Sequence, residues 1–140
     1  IFSCYYAFGA VAVKDYAIKG IENLLNSPTL AVHLPSTARV SLMHQPQQNR
    51  YVLHLLYANT IKRGDEMELH TAMGGKTKSI EIIEDLLPLY NIDIQLHLDK
   101  KLKSVMLQPQ DQSIKFSQNN ERINFRIDRL DCHQMIVLSY

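Results

Sequence analysis

From Pro28 onward the chain is a succession of short apolar runs, each closed by Pro, Gly, Asn or Asp. That pattern constrains the fold most. Strands alternate with a period of two and need only about four to eight residues, whereas helices need longer runs with a wider period. Alternation is cleanest at 93–98, where Ile94, Leu96 and Leu98 point one way and Asp93, Gln95 and His97 the other. It is equally clean from Ile114 and Phe116 to Ile123, Phe125 and Ile127. Strands are predicted at 30–34, 39–44, 50–57, 79–83, 93–98, 104–108, 114–117, 123–127 and 133–139. The polar links 45–49, containing Pro46, and 118–121 suit hairpin loops. Short strands at this spacing indicate a mainly β chain, a sandwich or a barrel, and an antiparallel β-sandwich of about eight strands is the expected fold.

One helix precedes it. Over 14–26, Ala17, Ile18, Ile21, Leu24 and Leu25 recur at helical spacing, while Lys19, Glu22, Asn23 and Asn26 take the other side. Ser27-Pro28 ends it, because proline disfavours helical geometry in the residue before it. Residues 1–27 are expected to finish an upstream element, or else to pack as a helix on the sheet. Residues 28–140 are expected to be the sandwich. The apolar opening (Ile1, Phe2, Tyr5, Tyr6, Phe8) lacks the basic stretch of a signal peptide and reads as the end of an upstream element. The segment 59–78 is the least regular; 67–70 adds a short strand and Gly74-Gly75 a turn.

At 140 residues the chain fits one domain that can bury its own core. Fifteen basic residues against 14 acidic give a net charge of +1, so nucleic acid and anionic membrane are not expected partners. Lys62-Arg63 and Lys100-Lys101-Lys103 read as solvated loops beside turn residues. No apolar stretch is long enough to span a membrane. Cys4 and Cys132 form no CxxC motif and are expected to be free thiols.

No catalytic set emerges. The histidines His33, His44, His54, His70, His97 and His133 never offer two ligands from one element, so no metal and no cofactor is expected. His97 reads as solvated, and His54 as a core-edge ring with a backbone hydrogen bond. Glu81 and Asp85, on one strand face, would stand about 13 Å apart, beyond the separation that paired glycosidase carboxylates use; Glu84 would face away. There is no GxSxG elbow, and Gly74-Gly75-Lys76-Thr77 lacks the earlier glycine of a phosphate loop. Sugar binding would need exposed aromatic faces, and tryptophan is absent. Tyr51 and Tyr57 share a face with Leu53 and Leu55 and read as packing, while Tyr90, after Pro88 in a turn, is the aromatic expected to be exposed. These three tyrosines are the candidate carbohydrate contacts.

Four runs carry a resemblance: Leu34-Pro35-Ser36-Thr37-Ala38, the stretch from Arg50 to Asn59, that from Ile80 to Tyr90, and that from Cys132 to Leu138. In this order, from about Pro28 to the end, the chain resembles the tail of a β-galactosidase-like glycoside hydrolase family. The opening, residues 1–27, resembles the C-terminal strand end and helix of that family's preceding α/β domain, which is flavodoxin-like and of trimerisation type. The resemblance implies a catalytic TIM barrel, then an α/β domain, then a small β domain such as this one. The catalytic carboxylates would belong to the barrel, so no active-site residue carries over. The irregular 59–78 loop departs from the family pattern.

The expected function is therefore that of a non-catalytic C-terminal accessory domain of a β-galactosidase-like glycoside hydrolase. It would dock to the upstream catalytic and trimerisation-type domains of the same chain or join subunits into a homo-oligomer. An apolar patch is expected near the helix and the opening residues. The alternative is a β-sandwich that binds an oligosaccharide.

Overall fold

The computed structural model describes residues 2–25, 27–64, 68–69, 75–76 and 79–140. Two helices lead: α1 (Phe2–Phe8) and α2 (Val11–Leu24). The opening residues are thus helical, not the expected strand end. Gly9 sits at φ 62 and its N–H donates to the Tyr5 carbonyl at 2.9 Å. That left-handed cap closes α1, and a side chain would strain it. Helix α2 begins three residues earlier than expected and ends at Leu24, followed by Leu25 in extended geometry.

The strands follow as β1 (Leu30–Val32), β2 (Arg39–Gln45), β3 (Arg50–Leu56), β4 (Ile61–Arg63), β5 (Glu68–Leu69), β6 (Gly75–Lys76), β7 (Ile80–Ile82), β8 (Leu89–His97), β9 (Ser104–Gln108), β10 (Gln112–Ser113), β11 (Phe116–Asn119), β12 (Arg122–Leu130) and β13 (His133–Ser139). One sheet runs β1-β8-β12-β11 and the other β10-β9-β13-β3-β2, with antiparallel pairings throughout. Apart, β4 pairs β7 and β5 pairs β6. The strand expected at 79–83 exists, but its partner is β4, outside the sandwich. Lys62 and Arg63 consequently lie in a strand rather than a loop. Expected features involving Met67, His70, Gly74 and Thr77 lie outside the described residues, as does the side chain of Cys4.

The two sheets face each other across a core drawn from alternate positions. Leu53 and Leu55 of β3, Ile136 and Leu138 of β13 and Val105 of β9 meet Ile94 and Leu96 of β8 and Ile123 and Ile127 of β12, all 1% exposed or less. Each fully buried aliphatic side chain of this size contributes about 1.5–3 kcal/mol. The β2–β3 hairpin closes through a 3-10 turn at Pro46–Gln48, and Asn49 adopts φ 50, a left-handed geometry that asparagine tolerates. Alternation persists along β12 to Ile127 and then slips: Leu130, not Arg129, is buried. The slip lies opposite Asn91 on β8, which has φ 54. β8 itself starts at Leu89, so Tyr90 belongs to a strand rather than the expected turn.

Candidate functional site

The three tyrosines do not meet. Tyr51 and Tyr57 are 7% and 8% exposed and belong to the core, so neither ring offers a free face for a sugar to stack on. Tyr51 stacks on His44 with ring centroids 4.3 Å apart and donates its hydroxyl to Asp99 at 3.2 Å. Burial and then the Asp99 carboxylate push the Tyr51 hydroxyl pKa up, so this phenol stays a protonated donor. His44 Nε2 lies 2.9 Å from the Tyr140 hydroxyl, completing an aromatic plug at one end of the sandwich. Tyr90 is different: it is 59% exposed, with the Arg129 guanidinium 5.9 Å from its ring centre.

Arg129 also borders a cleft of about 230 Å³ with Asp128, Asp131, His133, Gln110 and Gln134. Gln134 is buried, and its amide exchanges hydrogen bonds with that of Gln110 at 3.0 and 3.1 Å. A larger open depression, about 650 Å³, lies along β1, β8 and β12. There Arg126 holds Asp93 through two hydrogen bonds of 2.6 and 2.8 Å, and Gln95 donates to Asn124 at 3.0 Å. Its polar groups satisfy one another rather than converging on a vacant centre. The Arg126 guanidinium holds the Asp93 carboxyl below the ordinary carboxylate range. A group whose folded pKa is depressed adds stability above its unfolded pKa and loses it as pH falls through the folded value. Arg126→Gln is therefore expected to return the Asp93 titration, followed by carboxyl NMR, upward to the ordinary range; an unmoved titration would mean the pair does not persist in solution.

Several other carboxylates among the described residues are held by neighbouring side chains. Glu84 accepts two hydrogen bonds from Arg63, at 2.6 and 2.8 Å, which lower its pKa. Glu81 accepts from Thr60 at 3.5 Å. Because β7 ends at Ile82, Asp85 lies off the strand, so the strand spacing expected between it and Glu81 does not apply. Lys100 pairs with Asp99 at 3.3 Å. His97, expected to be merely solvated, sits 3.4 Å from Glu121. His54 meets the ring of His133 instead of a backbone group. Among the described residues, no three His, Cys, Asp or Glu side chains gather as metal ligands, and Cys132 is a free thiol.

The apolar patch expected at the N-terminus is present as exposed side chains. Val11, Ile18, Ile21 and Leu25 recur along one stripe of α2 and are 56%, 44%, 53% and 56% exposed, and Phe8 is 84% exposed. No residue of α2 is buried. A second apolar stretch, Ile80, Ile83, Leu86 and Leu87, is likewise exposed.

No protein-family model matches the chain, and no curated protein matches it. Among solved structures the chain is similar to Alpha-L-fucosidase isoenzyme 2 from Paenibacillus thiaminolyticus, with a TM-score of 0.86 and 34% identity. The likeness covers 99% of this chain and 19% of that one, so the chain spans about a fifth of its relative's length. Nearly the whole chain thus corresponds to a small part of a glycoside hydrolase. The β-galactosidase-like label has no counterpart in this match, which is to a fucosidase.

Proposed function

We propose that this chain is a non-catalytic accessory domain of a glycoside hydrolase, packing through the apolar stripe of α2 onto the rest of a longer chain. The observation that carries this reading is the match of nearly every residue to a fifth of a fucosidase. The exposed stripe supports it, since contiguous apolar surface on a folded domain marks a place where another surface belongs. The helix is amphipathic, yet its apolar side is not covered by the sandwich; an upstream domain of the same chain would cover it. The parent's substrate is a glycoside in this proposal, a fucoside or a galactoside, and the barrel rather than this domain would hold its acid pair.

A second reading, oligosaccharide binding, is favoured by one feature: Tyr90 exposed beside Arg129 at the edge of the Gln110–Gln134 cleft. One experiment separates the readings. The folded chain is incubated with 4-nitrophenyl fucoside and galactoside, then titrated by calorimetry with fucosylated and galactosylated oligosaccharides. No release of nitrophenol and no heat of binding are expected. Hydrolysis that survives repurification would overturn the non-catalytic role. Saturable binding abolished by Tyr90→Ala would replace the packing role with the sugar-binding one.

A further inference from the structure

On the outer surface of the five-stranded sheet, His54 of β3 and His133 of β13 face each other, Nδ1 of the first 3.0 Å from Nε2 of the second. Their ring planes are within 11° and their centres 5.3 Å apart. Rings whose centres are farther apart than their facing nitrogens by about the width of one ring lie edge to edge, not one over the other. One nitrogen must donate and the other accept, so the pair shares one proton between two basic lone pairs.

We propose that this pair chelates a divalent transition-metal ion, copper(II) before others, in place of that proton. Imidazole nitrogens suit such ions, and copper(II) stands at the top of the first-row affinity order. With metal–nitrogen bonds of about 2.0–2.1 Å, a 3.0 Å nitrogen separation subtends roughly 95° at the metal. That is the angle between neighbouring ligands in tetragonal coordination and is narrower than the tetrahedral angle of structural zinc sites. In the present pair the lone pairs point at each other along the hydrogen bond, so each ring must turn by roughly 40° to aim its lone pair at an ion held at that angle. His133 is exposed and His54 half-buried, so water can complete the shell.

Met135 stands directly opposite His54 in the strand register and two residues along from His133, on the same outward face. Its thioether is a ligand type found as a weak further donor at copper sites. Arg39 lies on that face beyond Leu56, but its guanidinium turns to the Ala38 carbonyl at 3.0 Å. The two histidines are 79 residues apart in sequence. A metal held there would clasp β3 to β13, the middle strand of the sheet.

The test is a titration of copper(II) chloride into the full chain, followed by calorimetry and electron paramagnetic resonance. One tight equivalent is expected, with hyperfine structure from two imidazole nitrogens and a raised melting temperature. His54→Ala and His133→Ala should each weaken that equivalent by at least about tenfold, while His97→Ala, on the other sheet, should leave it unchanged. Circular dichroism confirms that each variant is folded. A tight equivalent that survives the double substitution of His54 and His133, that is lost through His97→Ala, or that never forms would overturn the proposal.

Discussion

Leu53→Ala is expected to lower the unfolding free energy by about 3 kcal/mol, read from urea denaturation, because the deleted side chain leaves a cavity as well as losing its transfer energy. Leu53 is 0% exposed at the middle of β3, flanked in register by Leu42 of β2 and Ile136 of β13. The matching control lies three residues along. Leu56 is on the same strand, points to the outer face and is 42% exposed, so Leu56→Ala should cost well under about 1 kcal/mol. The contrast tests the sandwich rather than hydrophobicity in general, since both substitutions remove the same atoms. Equal losses at the two sites would mean that the β3 register, and with it the inner face, is wrong.

The second large effect concerns association rather than stability. Ile21→Glu with Leu25→Glu places two charges on the apolar stripe of α2, where the side chains are 53% and 56% exposed. With no buried contacts to lose, the melting temperature of the chain should hardly move. The isolated chain, its stripe uncovered, is expected to self-associate at high concentration in sedimentation velocity runs. The double substitution should weaken that association by at least about tenfold, equivalent to about 1.4 kcal/mol, because each carboxylate must be desolvated at the contact. If the unsubstituted chain stays monomeric throughout, or if the variant associates as well as its parent, the stripe has no affinity and the packing role falls. A large drop in melting temperature would show instead that the stripe is covered within the chain.

Where local chemistry decides, sequence and structure agree closely. The strands expected at 104–108 and 133–139 appear with those bounds, and the faces of 93–98 are as alternation requires. Period-two patterning needs no knowledge of partners: a strand with one face buried shows that face in its own residues. Tyr51 and Tyr57 follow the same rule, sharing the buried side of Leu53 and Leu55. The extra helix at Phe2–Phe8 was hidden because aromatic residues favour strands locally, and only a left-handed glycine at position 9 marks its end.

The sequence by itself thus determined the class of fold, the inward and outward faces of its main strands and the amphipathic helix. Only the tertiary structure decided which strands pair: β13, last in the chain, lies between β3 and β9, and β7 is left out of the sandwich altogether. Alternation says which way a side chain points but not which strand lies beside it, because pairing depends on contacts between residues far apart in the chain. The same limit hid the His54–His133 pair, which exists only once β13 is laid against β3. It also explains the stripe on α2: periodicity announced an apolar face, but not that the sandwich would leave it uncovered.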